Sequence, residues 1–254
     1  SEGQGCYAVN AVKTTVILPT ENSENFIKEL TALNIPYKLL NLTKVTKQPG
    51  PAIRYVLFSL FEIAKLVNYL KSKKFNLIHV SGGSWQYKGV IAGYIAGIKV
   101  VWHLNDTNIP FIFRKLFIFF SRFADGFIYA SRRSEDYYRT LIKIRKNKPS
   151  FIIQAPVNTS LFNPKQNYSG DQELINQWCN KLVIGTIANI NRIKGLDTLV
   201  ECISKLNKIH NDLVFAVIGQ LYNNQKHYVN YINQIIKKNQ INNIIFVGQR
   251  MDVR

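Results

Sequence analysis

Apolar residues along this chain alternate between short unbroken runs and sets that recur every three or four positions. The runs, rich in Ile, Val and Phe, predict buried strands, whereas the recurring sets predict amphipathic helices. The predicted strands lie at residues 15–18, 37–42, 75–80, 98–104, 125–131, 150–154, 183–190, 213–219 and 244–248. The predicted helices lie at residues 26–33, 53–70, 90–96, 109–123, 133–144, 196–206 and 227–238.

This alternation predicts an α/β protein with mostly parallel sheets that are covered by helices on both faces. In such sheets, ligands bind beyond the carboxyl ends of the strands. Small and polar residues stand at those ends here, since Ser81-Gly82-Gly83 follows one strand and the next ends in His103-Leu104-Asn105-Asp106. We therefore expect a ligand-binding cleft at this edge.

The stretch VIGTIANINRIKGLDTL, at 183–199, predicts a buried strand, a polar loop and a helix that begins after Gly195. Such a turn places unpaired backbone N–H groups and the positive end of a helix at the carboxyl edge of the strand. Arg192 and Lys194 add two cations, which suits a diphosphate leaving group. The alternative is an ordinary strand–loop–helix unit whose Lys-Gly pair is merely solvated.

Residues 155–180 are rich in Asn, Pro and Ser and lack a clear period, which predicts a linker with a short helix near Leu174. We therefore expect a first lobe at 1–164, a linker at 165–180 and an incomplete second lobe at 181–254. The three cysteines are odd in number and far apart, which favours a reducing compartment over disulfides or a zinc site. No apolar run is long enough to span a bilayer.

The formal net charge is +18, and residues 1–164 carry most of it, with 22 Lys and Arg against 9 Asp and Glu. A field of this sign favours anionic partners such as nucleotides, anionic lipid surfaces or nucleic acid. Charge alone discriminates poorly among them, because Lys, Asn and Ile are abundant throughout the chain.

Four segments resemble the GT-B glycosyltransferases of family 4, the group 1 glycosyl transferases. FNLIHVSGG is similar to the family's pDiiHvh strand and loop, and VVWHLND to its vvwHvhD segment. ADGFIYAS with QAPVNTSLFNP is similar to aDaviavS and the interlobe NGvDtxxFxP. IGTIANINRIKGLDTLVECISKL, FAVIG and IIFVGQRMDV resemble the opening of the family's donor lobe. The resemblance implies two Rossmann-like lobes and covers roughly residues 75–254.

The resemblance also implies roles for individual residues. Arg192 and Lys194 would hold the diphosphate of a nucleotide sugar, and Gly195 would permit close backbone approach. His103 would face the sugar and the acceptor, with Asp106 beside it as the second catalytic candidate. The further candidates are the acceptor-side loop residues Gly82 and Gly83 and the nucleotide-proximal Gly219, Gly248 and Asp252. The family retains the anomeric configuration and needs no cofactor or bound metal.

Three departures from the family pattern stand out. Ala188-Asn189 replaces the family's Gly-Arg pair, so Arg192 is an approximate stand-in. The family's first strand and glycine-rich first loop are not recognisable. The family's paired glutamates, which grip sugar and ribose, do not occur before Arg254. We therefore expect a fragment, truncated at both ends, that does not bind a donor productively by itself.

Several candidates have ordinary structural alternatives. His103 is also explained as a core histidine, and Asp106 as the cap of the following helix. The segment PFIFRKLFIFFSRF, at 110–123, fits a membrane interface, but we favour a helix buried between sheet and lobe interface. KIRKNK, at 143–148, reads first as a solvated basic face and second as a contact for acidic lipid.

The leading hypothesis is a cytoplasmic, retaining glycosyltransferase that moves a sugar from a nucleotide diphosphate sugar to a glycan or lipid-linked acceptor. Such an enzyme would serve cell-surface polysaccharide or glycolipid synthesis, with an anionic membrane surface as a further partner. A GT-B nucleotide-sugar epimerase is the alternative enzyme. A non-catalytic basic module on a membrane or nucleic acid is the third hypothesis, and we expect no nucleic-acid partner because the aromatic residues lie in apolar runs.

Overall fold

The computed structural model describes residues 12–43, 49–107, 109–142, 147–160, 162–163, 176, 178–222 and 225–250, except for the side chains of residues 49–52 and 112. The chain divides into two compact units, residues 1–158 and 159–254. Most of the predicted linker at 165–180, the helix near Leu174, most of the segment 143–148 and the candidate Asp252 lie outside the described residues. Within the described ranges, no helix is both long and apolar enough to cross a bilayer.

The first unit is a parallel α/β structure. Strands β1 (Val16–Pro19) and β2 (Tyr37–Leu40) pair in parallel. A four-stranded parallel sheet has the spatial order β3-β4-β5-β6, formed by β3 (Leu77–Val80), β4 (Lys99–Leu104), β5 (Gly126–Tyr129) and β6 (Ser150–Ile152). The helices are α1 (Glu24–Ala32), α2 (Pro49–Leu57), α3 (Ser59–Ser72), α4 (Tyr87–Ala96), α5 (Phe111–Phe120) and α6 (Arg132–Leu141).

Aromatic residues fill the core between the four-stranded sheet and its helices. Trp102 of β4, Phe117 of α5 and Tyr138 of α6 are fully buried and stack edge to face, with ring centroids 5.0 and 4.9 Å apart. Helix α6 begins in a capping box, because Ser131 accepts from the Ser134 N–H while the Ser134 hydroxyl bonds back to Ser131. The core therefore fixes α5 and α6 against the carboxyl half of β4.

The second unit repeats the parallel α/β pattern with fewer strands. Its sheet has the order β7-β8-β9, formed by β7 (Leu182–Ile187), β8 (Leu213–Ile218) and β9 (Ile244–Gly248). A 3₁₀ turn at Arg192–Lys194 precedes α7 (Leu196–Leu206), and α8 (Lys226–Lys238) lies between β8 and β9 in the sequence. The core comprises β8 with the inner faces of α7 and α8, where Val200, Ile203 and Ile232 are almost completely buried.

The prediction that β7 is a buried strand is wrong. Val183, Ile184 and Ile187 are all exposed, whereas β8 is buried along nearly its whole length. The reason is position in the sheet, since β7 lies at an edge of the described sheet and β8 has a neighbour on each side. An apolar run identifies a strand but does not reveal which of its faces is covered.

The predicted single helix at 53–70 is also wrong, because it is divided at Phe58 into α2 and α3. The Ser59 hydroxyl donates to the Tyr55 carbonyl at 2.8 Å and so competes with the helical hydrogen-bond ladder, which bends helices. Beyond the bend, α3 buries Val67 and Leu70 as predicted, and it also buries Ile63 and Leu66, whereas the predicted Ala64 is exposed. The predicted inward positions Ile53, Val56 and Leu57 before the bend, and Leu60 just after it, are exposed.

Candidate functional site

The glycine loop after β3 is tied directly to β4. Gly82 and Gly83 have φ angles of +117° and +84°, in the region that favours glycine. The Gly83 N–H donates to the His103 carbonyl at 3.3 Å, and the Trp102 indole N–H donates to the Gly83 carbonyl at 3.0 Å. A β-carbon on Gly83 would lie 2.8 Å from Asp106 Oδ1. The structure therefore brings Gly83, His103 and Asp106 together, as the sequence predicted.

Asp106 is held by α6 and does not cap α5. The Tyr138 hydroxyl donates to Asp106 Oδ1 at 2.8 Å, and burial, together with the negative charge of Asp106, raises the pKa of Tyr138. The N-cap position of α5 is Pro110, without a side-chain cap, so the capping alternative is wrong. Asp106 is thus a positioned carboxylate at the carboxyl end of β4.

His103 has a partner that the sequence analysis missed. The Nε2 atom of His79 lies 3.3 Å from His103 Nδ1, and the rings stack with centroids 5.3 Å apart. Partial burial lowers the pKa of both histidines, and the His103 charge lowers that of His79 further. The strand register contained the signal, because His79 pairs with Val101, two positions before His103 on the same face of the sheet.

A buried ion pair is connected to the glycine loop through Tyr55, and the sequence analysis missed this pair as well. Lys88 Nζ lies 2.5 Å from Glu62 Oε2 and 3.3 Å from the centroid of the Tyr55 ring. Glu62 also accepts hydrogen bonds from the Thr43 N–H and hydroxyl, at 2.7 and 3.2 Å. Burial lowers the pKa of Lys88, although Glu62 opposes that shift. The Tyr55 hydroxyl donates to the Trp85 carbonyl at 2.7 Å, which joins this network to the loop.

In the second unit, the turn before α7 is closed by hydrogen bonds among its own residues. Asn191 Oδ1 accepts from the Ile193 N–H at 3.1 Å, the Lys194 N–H donates to the Asn191 carbonyl, and the Gly195 N–H donates to Arg192. Gly195 ends the turn with a φ of +66°. The expectation of unpaired amides is therefore wrong for these three N–H groups, and the turn offers an anion mainly its cationic side chains.

The cationic side chains of this turn point to solvent. Arg192 and Lys194 are exposed, and neither forms an ion pair within the described part of the chain. The nearby Asp197 carboxylate is bound to Tyr228, whose hydroxyl donates to Oδ1 at 3.0 Å while the Asp197 N–H donates back at 3.1 Å. Partial burial raises the pKa of Tyr228. Asp197 thus neutralises neither cation directly.

The predicted nucleotide-proximal glycines lie beside this turn. The Gly219 N–H donates to the Gly248 carbonyl at 2.9 Å, and a β-carbon on Gly219 would overlap the Ala188 carbonyl oxygen. The Ile190 N–H donates to the Gln220 carbonyl at 3.1 Å, so the loops after β7 and β8 run side by side. Among the residues the structure describes, no group of three or more His, Cys, Asp or Glu side chains is placed to hold a metal ion.

Solved structures share this fold at low sequence identity. The Anabaena protein Alr3699/HepE, crystallised with UDP, has a TM-score of 0.69 and 21% identity, over 90% of this chain and 60% of its own. A glycosyltransferase from Rickettsia africae has a TM-score of 0.67 and 18% identity, over 95% of this chain and 69% of its own. A UDP-forming trehalose-phosphate synthase from Burkholderia xenovorans has a TM-score of 0.67 and 10% identity, over 95% and 74%.

This chain thus spans about 60% of the length of the Anabaena protein. No curated protein sequence matches it significantly. The predicted fold class is confirmed, since the structural neighbours are GT-B glycosyltransferases. The sequence model described as Glycosyltransferase Family 4 matches residues 9–161, which is more than half of the chain. With its fold and its strand-end residues, this match places the chain in glycosyltransferase family 4.

Proposed function

We propose that this protein transfers a sugar from a nucleoside diphosphate sugar to a hydroxyl acceptor, with retention of configuration and without a bound metal ion, and that the present chain supplies part of the donor and acceptor sites. The observation that carries the proposal is the turn before α7, where Arg192 and Lys194 are exposed and form no ion pair with any residue that the structure describes. Family membership supports it, as do the complexes of the Anabaena protein with UDP and with UDP-glucose.

The chemistry requires stabilisation of the departing diphosphate. Negative charge develops on its oxygens as the sugar leaves, and Arg192 and Lys194 would stabilise that charge in place of a metal. Gly195 has no side chain to obstruct a phosphate. In the first unit we assign His103 and Asp106 to the sugar and the acceptor, with Gly82 and Gly83 as the acceptor-side loop. The proposed acceptor is a hydroxyl of a growing glycan or a lipid-linked sugar.

Donor binding tests this assignment without requiring an acceptor. Calorimetry with UDP and UDP-glucose should show that Lys194→Ala weakens binding by about 10- to 100-fold, because hydrogen bonds to charged groups contribute about 1.5–3 kcal/mol. Lys205→Ala is the matched control, since Lys205 is an exposed lysine in the last turn of α7, at the opposite end of that helix from the turn that holds Lys194. Equal affinities for the Lys194 variant and the unchanged chain would contradict the proposal.

Product analysis separates transfer from epimerisation. A transferase releases UDP and extends an acceptor, whereas an epimerase releases free epimerised sugar when no acceptor is present. Incubation of UDP-glucose with and without an oligosaccharide acceptor, followed by chromatography of the products, therefore distinguishes the two enzymes.

We also propose that the protein works in the cytoplasm, at the anionic inner face of the plasma membrane. Helix α5 supports this location, because Phe111 and Phe119 are exposed on one face while Phe113 and Phe117 are buried on the other. The Arg122 guanidinium lies 4.1 Å from the Phe119 ring centroid. Aromatic residues with adjoining cations suit the boundary between lipid headgroups and acyl chains.

A further inference from the structure

Helices α2 and α3 meet in a bend that exposes large apolar side chains to solvent. We call this surface the apolar corner, and it consists of Ile53, Val56, Leu57, Phe58, Leu60 and Phe61. Leu57 and Leu60 are 74% and 82% exposed. Soluble proteins rarely leave such a concentration of large apolar groups in water unless the surface binds something.

Within residues 53–65, the charged groups that solvent can reach are all cationic. The Arg54 guanidinium lies 5.7 Å from the Phe58 ring centroid, and Lys65 Nζ lies 4.3 Å from the Phe61 ring centroid. Glu62 is the sole carboxylate in residues 49–72, and it is buried in the ion pair with Lys88. The corner therefore presents apolar groups and cations to solvent, without an exposed carboxylate among residues 53–61.

A row of packed aromatic rings links the apolar corner to α5. Tyr55 of α2 packs on Tyr87 of α4 with ring centroids 5.6 Å apart, and Tyr87 stacks on Phe120 of α5 at 5.1 Å. Helix α5 carries the same combination of groups, because its Lys115 Nζ lies 4.7 Å from the exposed Phe111 ring. Neighbouring helices of one unit thus share the same surface chemistry.

We propose that the apolar corner docks on an anionic lipid bilayer, with its Leu and Phe side chains at the acyl boundary and Arg54 and Lys65 at lipid phosphates. This inference rests on the proposed work at a membrane surface and names the surface that makes contact. A second copy of the chain fits less well, because a symmetric contact would place the cations of both copies against each other.

Vesicle flotation measures whether the unsubstituted chain binds lipid bilayers, and so tests the proposal. We expect binding to vesicles of phosphatidylcholine with phosphatidylserine and weak binding to phosphatidylcholine alone, because each cation near an anionic surface adds about fivefold. The double substitution Leu57→Ser with Leu60→Ser should reduce binding at least tenfold, since each leucine would lose its apolar contact. Ile209→Ser is the matched control, because Ile209 is 74% exposed, like Leu57, but lies in the second unit.

A tryptophan probe locates the contact while keeping the surface apolar. Leu57→Trp fluorescence should shift to shorter wavelength when phosphatidylserine vesicles are added, and Ile209→Trp fluorescence should not.

Two results would overturn the proposal: vesicle binding that does not depend on phosphatidylserine, or a double variant that binds vesicles as well as the unchanged chain. So would concentration-dependent dimers that the double variant abolishes, because they would make a second copy the occupant. A chain that binds vesicles but not UDP would refute the proposed donor site and leave the docking surface standing.

Discussion

The polar groups at the strand ends of the two units are treated in opposite ways. In the first unit Asp106 accepts a hydrogen bond from Tyr138 of α6, and His103 contacts His79. In the second unit the two cations before α7 project into solvent without an ion-pair partner within the described part of the chain. The strand-end groups of the first unit thus bond within that unit, whereas the two cations of the second unit are exposed to solvent.

The same contrast appears in two tyrosine–aspartate pairs. Tyr138 is fully buried and donates to Asp106 at 2.8 Å, whereas Tyr228 is partly exposed and donates to Asp197 at 3.0 Å. Buried pairs position groups firmly and are costly to break, while exposed charges contribute little to folding. Substitutions in the first unit should therefore change stability, and substitutions of the exposed cations should change ligand affinity.

The largest effect should come from the buried ion pair. Lys88→Ala leaves the Glu62 carboxylate buried without its cation, and breaking such a pair costs about 3–5 kcal/mol of unfolding free energy. Lys194→Ala, which removes an exposed lysine, should change it by less than about 0.5 kcal/mol. Urea unfolding of both variants measures the difference.

The double variant Glu62→Gln with Lys88→Met sharpens this test. It removes both charges, keeps an amide oxygen for the Thr43 N–H and should recover most of the lost stability. If Lys88→Ala alone cost less than about 1 kcal/mol, Glu62 would not be a desolvated charge, and the contrast between the units would fail.

A pair of glycines should give a smaller difference. In Gly83→Ala, the alanine would have to adopt a left-handed backbone conformation and its β-carbon would press on the Asp106 oxygen, so we expect the unfolding free energy to fall by about 3 kcal/mol. Gly195→Ala should lower the unfolding free energy by only about 1 kcal/mol, the cost of the left-handed backbone, because the nearest atom to the new β-carbon is Thr198 Oγ1 at 3.9 Å. Thermal and urea unfolding measure both variants, and equal losses would show that Asp106 moves aside without resistance.

The sequence predicted the order of strands and helices because each element has its own local apolar pattern. The same pattern misplaced Leu57 and Leu60, since helical spacing reveals an apolar stripe but not whether another element covers it. The apolar run of β7 likewise predicted a buried strand, but β7 lies at an edge of the described sheet and is mostly exposed. Burial depends on tertiary neighbours, which a local period does not contain.

The candidate residues could be predicted where they stand at strand ends, and they were missed where their proximity depends on strand register or helix packing. Gly83, His103 and Asp106 stand at strand ends, so the rule for parallel sheets located them. His79 required the register of β3 against β4, and the Lys88–Glu62 pair required the packing of α3 on α4. A lysine within a predicted helix gives no sign that its charge will be buried.

The smallest effect should come from titration of the histidine pair. Partial burial lowers the pKa of His79 and His103 in the folded chain, so each binds protons more weakly there than in the unfolded chain, where the usual value is about 6.5. Unfolding therefore takes up protons below that pH, and stability should fall as the pH drops from about 6.5 to 5, before the carboxylates titrate. Urea midpoints across this range measure the fall.

The variant His79→Phe keeps an aromatic ring against His103 but removes one titrating group, so the fall in its stability should be shallower. A midpoint that stays constant over this range would show that the pair carries no burial penalty, and that the strand ends of the first unit are less closed to solvent than their hydrogen bonds indicate.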